Sequence, residues 1–530
     1  MVHNVFFVFW NGKADFMKGE QDLMKADFKK LQNGSDIRGV ALEGVEGEKV
    51  NLGKTEAAAL TSGFIRWLCD KTGKKPGELT VSVGTDSRLS KDVLRETVVE
   101  AFLSDGLKVF DCGMASTPAM FMSTVFPEYD CDGAVMITAS HLPFNRNGFK
   151  YFDKSGGLNK QDIAAIIAYA EADDGAEDDR SNRRGQLVKA DLIDTYSAFL
   201  RKKIIDEVDS QTNREKPLSG LKIVVDAGNG AGGFYASKIL EPLGADVSAS
   251  QFLEPDGSFP NHAPNPENRE AMASICSRVI ESDADLGLIF DTDVDRSSAV
   301  DKNGKEISRN GIVAMAAALI AKEHPGTTVV TDSITSDELT EYLERCLGLR
   351  HLRFKRGYRN VINKSIELNA EGIDSQLAIE TSGHAAYKEN YFLDDGAYLA
   401  TKIVIKAAQL KQQGESIDAL LASLREPKEA REVRFPISGE NFGEYGEEVL
   451  SGFKTWAAGR AAEGVSVVEP NYEGVRLNFR RSGLSGWCLL RKSLHDPIMP
   501  LNVEVTEGSC EEILGEIRQF LEEYPRVSGK

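Results

Sequence analysis

Clustered cysteines, long apolar runs and surplus positive charge are all missing from this chain of 530 residues. Its seven cysteines (Cys69, Cys112, Cys131, Cys276, Cys346, Cys488 and Cys510) lie far apart, form no CxxC pair and are odd in number. That disfavours a zinc knuckle and a disulfide framework and favours a reducing compartment. No apolar run approaches the roughly 18 residues a membrane span requires. The longest, Ile312 to Ala321, reads as a buried helix. The opening Met1 to Trp10 lacks a basic n-region and reads as a strand or peripheral turn. A cytoplasmic location is expected, with an organellar one left open. Lys and Arg number 63 against 82 Asp and Glu, a formal charge of −19. Such a surface excludes nucleic acid and anionic membrane as partners, so an anionic substrate needs cations gathered locally.

What remains is a composition that folds. At 41% hydrophobic and 27% charged, the chain can bury sizeable cores. Its length predicts three or four domains of roughly 150 residues. Three stretches share one grammar: an apolar run, a polar or glycine loop, an amphipathic segment, a glycine and a second apolar run. They begin at Leu79–Val83, Leu221–Asp226 and Thr328–Asp332, and return near Val109–Phe110, Gly244–Val247 and Leu352–Phe354. Short unalternating runs followed by helical spacing mark βαβ units, so three related α/β domains are expected. Ser210–Ser219 and His324–Gly326 read as linkers, and Glu171–Arg184 as an exposed loop. After Arg425–Arg434 comes an α+β tail with a strand near Gly474–Phe479 and a closing helix, Cys510–Glu523.

Four short segments carry chemistry. Asp291, Asp293 and Asp295 follow the strand-like Leu286–Phe290, where open α/β sheets place ligands. Alternate carboxylates there suit Mg²⁺, or a solvated acidic turn. Ser140 follows Ala134–Ile137 on a turn with Thr138 and His141, ahead of Lys150. It could accept a phosphoryl group beside a neutralising cation, or cap a helix. Glu380, Ser382 and His384 suit sugar hydroxyls and proton transfer, or a polar turn. Arg491, Lys492, Ser493 and His495 at the end of an apolar strand suit a phosphate, or a solvated loop.

Taken in order, these segments resemble the α-D-phosphohexomutase superfamily of phosphoglucomutase and phosphomannomutase, over roughly residues 31 to 510. Ser35-Asp36-Ile37-Arg38-Gly39 resembles the opening motif, Thr138–Pro143 the phosphoserine loop, Asp291–Arg296 the metal loop and Glu380–His384 the sugar loop. Arg491–Pro497 falls at the phosphate loop. Lesser matches are Thr117-Pro118, Asp226–Gly230 and Asp394-Asp395-Gly396.

The resemblance implies an α/β fold of three similar mixed-sheet domains plus a C-terminal α+β domain around a central cleft. The expected domains are 25–212, 213–323, 324–428 and 429–530, with one loop each in the cleft. It implies an intramolecular phosphotransferase that interconverts hexose 1-phosphate and hexose 6-phosphate, of glucose and/or mannose, through a phosphoserine and glucose 1,6-bisphosphate. One Mg²⁺ would be held by phosphorylated Ser140 with Asp291, Asp293 and Asp295. Ser140, His141, Lys150, Arg38 and His384 would be catalytic. Arg296, Gly357, Arg359, Glu380, Ser382, Arg491, Lys492, Ser493 and His495 would bind substrate. Small sugar phosphates would be its partners, without nucleic acid or membrane, in a monomer or dimer.

Leu142, Thr292, Val294, the Thr331–Ser336 loop without its usual Lys, and Leu494-His495-Asp496 depart from the family pattern. Phosphoglucosamine or phosphopentose mutases, a non-catalytic sugar-phosphate binder and an aspartyl phosphatase are therefore competing readings. Arg38, Arg88, Lys150, Arg296, Arg356, Arg359, Arg491 and Lys492 lie on or near the loops, so a positive cleft in an acidic shell is expected.

Overall fold

Where the short apolar runs fall along the chain sets one strand arrangement three times over. The computed structural model describes residues 27–172, 184–210, 213–493 and 496–529, so the opening segment and most of Glu171–Arg184 lie outside the described residues. In the first sheet Lys108–Met114, Thr80–Thr85 and Gly133–Ile137 lie side by side and parallel, with Thr80–Thr85 in the middle. Arg146–Asp153 then returns antiparallel beside Gly133–Ile137, and Asp36–Val40 pairs antiparallel with it. The third sheet repeats this order with Arg350–Arg353, Thr328–Thr331, Leu377–Ile379 and the antiparallel Ala385–Tyr387.

The second sheet keeps Ile223–Asp226 parallel to Leu286–Phe290 and Ser297–Asp301 antiparallel to that. Its expected return strand near Gly244–Val247 is reduced to two isolated bridges, Lys222 with Asp246 and Asp226 with Gln251. The reason is local. The Asp246 carboxylate accepts the Ser248 N–H at 3.0 Å, and the Ser250 hydroxyl accepts the Val225 N–H at 3.0 Å. Side chains thereby take ladder bonds that backbone would otherwise make.

One apolar core runs without a break through the three α/β units. It includes Phe121, Tyr196, Phe290, Ile312, Tyr342 and Leu399. The Ala-rich run read as a buried helix is one, within Asn310–Ala321, and it packs in this core beside Gly396–Gln412. The C-terminal unit differs in both respects. Its five strands are all antiparallel. Helices Phe442–Ala458 and Cys510–Leu521 close a core of its own. Among the described residues no helix is long and apolar enough to cross a membrane.

Candidate active site

Repetition of the strand order fixes the site. In each of the four units the loop singled out in the sequence joins two antiparallel neighbours. Ile137 pairs with Phe149 across the serine loop, and Phe290 with Ser297 across the aspartate loop. Ile379 pairs with Ala385 across the glutamate loop, and Leu490 with Leu501 across the basic one. Lys150 lies opposite Met136, and Arg38 opposite Gly148, so both reach the serine loop from neighbouring strands. Only glycine allows that approach, since a Cβ on Gly148 would sit 2.0 Å from the Ile37 carbonyl oxygen.

Ser140 is buried and held at a left-handed φ of 49°, its N–H donating to the Thr138 hydroxyl at 2.8 Å. Its Oγ donates to Asp291 Oδ2 at 3.0 Å and accepts from Arg296 Nη2 at 3.1 Å. His141 Nδ1 lies 3.3 Å from Ser140 Oγ and 2.6 Å from Arg296 Nη2. One carboxylate oxygen from each of Asp291, Asp293 and Asp295 falls within 4.8 Å of the others. Lys150 Nζ donates to Asp293 Oδ2 at 3.0 Å and to Asp295 Oδ2. Thr117 donates its hydroxyl to Asp293 at 2.5 Å, bringing the first domain onto the second.

These groups titrate far from their ordinary ranges. Burial, reinforced by Asp295 and opposed by Arg296, holds the Asp291 carboxyl well above the usual range. Asp295 is driven below it, because Lys150 and Arg296 outweigh its burial. Burial works against the Lys150 ammonium, yet Asp293 and Asp295 keep its pKa well above normal. Burial pushes His384 down to about 3 despite Asp295, so its imidazole is neutral. His141 is likewise pushed to about 3 by burial and Arg296. Asp293 Oδ1 and Asp295 Oδ1 are buried without a hydrogen-bond partner among the described residues. Buried, orphaned carboxylate oxygens beside a third carboxylate fit a hard divalent cation.

The glutamate loop abuts the aspartate loop through an isolated antiparallel bridge between Arg296 and His384. His384 Nδ1 lies 2.8 Å from the Ser382 hydroxyl, and its ring stacks on Tyr358 with centroids 5.6 Å apart. Glu380 accepts the Gly357 N–H at 2.7 Å. Burial and Asp332 lift its pKa to about 8 against Arg356.

The basic loop is only partly gathered here. Arg491 is buried, lies 4.0 Å from Glu473 and donates to Asn502 at 3.1 Å. Lys492 points the other way, its ammonium on Glu447 at 2.7 Å and its stem across Gly446 of helix Phe442–Ala458. Successive side chains of an extended segment alternate in direction, so neighbours cannot share one cradle. The Ser493 hydroxyl accepts the Asp496 N–H at 3.1 Å, and His495 lies outside the described residues. Arg359 lines a cavity together with Asp36, Lys150 and Asp295.

Two residues escaped the sequence reading. Glu473 accepts from the Ser333 hydroxyl and from the Arg356 N–H at 3.1 Å, facing Arg491. It thus puts a carboxylate among anion donors of the third and fourth domains. Arg88, noted only for its charge, grips the serine loop through its carbonyls. Neither belongs to a motif that spacing would reveal. The gathered cations are also matched by carboxylates: Arg38 by Asp36, Arg88 by Asp86, Arg296 by Asp291 and Arg356 by Asp332.

Fold and site together describe a phosphoryl-transfer enzyme of the α/β class. Models of "Phosphoglucomutase/phosphomannomutase, alpha/beta/alpha" domains I, II and III match residues 29–177, 194–304 and 308–427. A phosphomannomutase/phosphoglucomutase of Pseudomonas putida is 30% identical over 81% of this chain and 84% of its own length. A phosphoglucomutase of Neisseria gonorrhoeae is 28% identical over 93% of this chain and 96% of its own. A solved phosphoglucomutase/phosphomannomutase family structure from Burkholderia thailandensis superimposes with a TM-score of 0.76 at 24% identity, covering 94% and 99% of the two chains. The chain belongs to the phosphoglucomutase/phosphomannomutase family, within the α-D-phosphohexomutases. It is an isomerase that moves a phosphoryl group within a hexose phosphate.

Proposed function

We propose that this phosphohexomutase is Mg²⁺-dependent and interconverts the 1- and 6-phosphates of glucose and/or mannose through phosphorylated Ser140 and a 1,6-bisphosphate. The observation that carries the reading is Ser140 Oγ, hydrogen-bonded to Asp291 and Arg296 on the rim of a buried three-carboxylate cluster. Asp291, Asp293 and Asp295 would hold the cation together with the phosphoserine. Mg²⁺ bound there would draw charge from the phosphoryl oxygens.

The chain's own groups do the rest. Arg38, Lys150 and Arg296 set positive charge around the phosphoryl group, where phosphoryl transfer depends on positioning and electrostatics. His384, neutral, takes the proton of the attacking sugar hydroxyl as the bond from phosphorus to Ser140 Oγ breaks and a bond to that hydroxyl oxygen forms. Return of the other phosphate to Ser140 reverses these steps and leaves the isomer. Glu380 and Ser382 read sugar hydroxyls beside His384. Arg491 and Arg356 hold the phosphate that does not react, which requires Glu473 to yield.

A panel of 1-phosphates supplied with catalytic 1,6-bisphosphate, with and without EDTA, tests this. Turnover of glucose or mannose 1-phosphate that EDTA abolishes supports the proposal. Turnover of neither, with glucosamine or pentose phosphates consumed instead, overturns the substrate assignment.

A further inference from the structure

We infer that a cavity between the first and third domains, which shares Lys150 and Asp295 with the site around Ser140, binds an uncharged polyhydroxylated ring, a free sugar in chemical class. The cavity holds about 180 Å³. Lys150, Asp295, Arg359 and Asp394 form its polar end, and Phe121, Phe152, Tyr358 and Tyr391 its aromatic wall. An apolar wall with a few convergent polar groups is how small-molecule sites are built.

The polar end is unfinished. Asp394 is only 7% exposed, and both of its carboxylate oxygens lack a hydrogen-bond partner among the described residues. Arg359 Nε is buried without one as well. Such groups are paired in native proteins, so something is expected to meet them. A hydroxyl donates to a carboxylate and accepts from a guanidinium at once, so neighbouring hydroxyls complete both residues. A phosphate would face Asp36, Asp295 and Asp394 together. A metal ion would meet Lys150 and Arg359 and leave the Arg359 N–H unserved.

The aromatic end is held open at some cost. Tyr391 and Phe392 are consecutive non-glycine residues at φ of 60° and 53°. Left-handed backbone of this kind costs on the order of 1–3 kcal/mol per residue and concentrates at ligand clamps. Here it leaves Tyr391 55% exposed at the rim, its ring 6.1 Å from that of Phe121. The exposed Tyr391 ring at the mouth offers the apolar face of a sugar ring a surface to lie against. A purely apolar cavity of ~150 Å³ accommodates a benzene-sized molecule, so the volume suits one ring. Because Lys150 and Asp295 also serve the cleft around Ser140, occupancy would be felt there.

Calorimetric titration of the full chain with free glucose and free mannose tests the inference. It expects saturable binding with Kd of about 1–10 mM, retained when glucose 6-phosphate saturates the cleft. Asp394→Asn should weaken that binding at least ~10-fold. Ile366→Trp, which fills the mouth from a residue 46% exposed, should abolish it with an unchanged melting temperature. Absence of saturable binding overturns the inference. So does displacement by glucose 6-phosphate, which would assign the heat to the cleft, or full binding by both variants.

Discussion

Arg88 offers the sharpest perturbation. Its guanidinium is fully buried and donates to the carbonyls of Ser140, Leu142 at 2.7 Å, Pro143 at 2.8 Å and Arg146 at 2.9 Å. Asp86 balances its charge at 3.4 Å, and the Phe259 ring of the second domain lies 5.4 Å away. One planar fork therefore shapes the turn that holds Ser140 in its left-handed conformation. Arg88→Lys keeps the charge but replaces the fork by three donors at a single point. At least one or two carbonyls lose their partner, at roughly 1–3 kcal/mol each, for a stability loss of about 2–4 kcal/mol. The activity loss should be of similar size, because a 1 Å displacement of a reacting atom costs about 10²-fold, or about 2.7 kcal/mol. We expect kcat to fall ~10²-fold with KM changed far less, together with faster amide exchange across residues 138–146. Wild-type kcat and wild-type exchange in that loop would refute the reasoning.

Other outcomes follow from particular contacts. Glu473→Gln removes the carboxylate that faces Arg491 and Arg356, so KM for hexose phosphate should fall by about 3–10-fold, a gain of order 1 kcal/mol. A raised KM would show that Glu473 assists binding. Val294 sits at φ 66° with its side chain fully buried. Val294→Gly relieves ~1–2 kcal/mol of strain but loses ~1.5–3 kcal/mol of burial and ~0.5–1 kcal/mol to glycine entropy. A lower melting temperature is expected, and a higher one contradicts that balance. Glu504 is lifted by burial from its ordinary 4.5 to about 7 despite Arg476. The stability it lends is complete below its unfolded value and is lost as pH rises through about 7. Glu504→Gln should therefore flatten the melting temperature across that window, and an unchanged slope would exonerate the residue.

The sequence made the loops legible for a physical reason. Each follows a short buried strand whose end an open sheet exposes, so Asp291–Asp295, Thr138–His141 and Glu380–His384 could be placed by apolar run plus polar turn. What escaped depends on distance along the chain. The return strand of the second repeat dissolved because Asp246 and Ser250 bond to nearby backbone. Arg491 and Lys492 look like one cluster in sequence, yet strand alternation sends them to opposite sides. Arg88 and Glu473 act on partners more than fifty and a hundred residues away. Arg38, Arg88, Arg296 and Arg356 each lie beside a carboxylate while Lys492 turns away, so the acidic composition reaches into the cleft itself.

Phosphopeptide mapping after incubation with glucose 1,6-bisphosphate tests the central claim most directly. One phosphoryl group on Ser140, absent from Ser140→Ala, which stays folded and has lost turnover, is the result expected. Phosphate on an aspartate of the Asp291–Asp295 loop, or turnover that persists without Ser140, would contradict it.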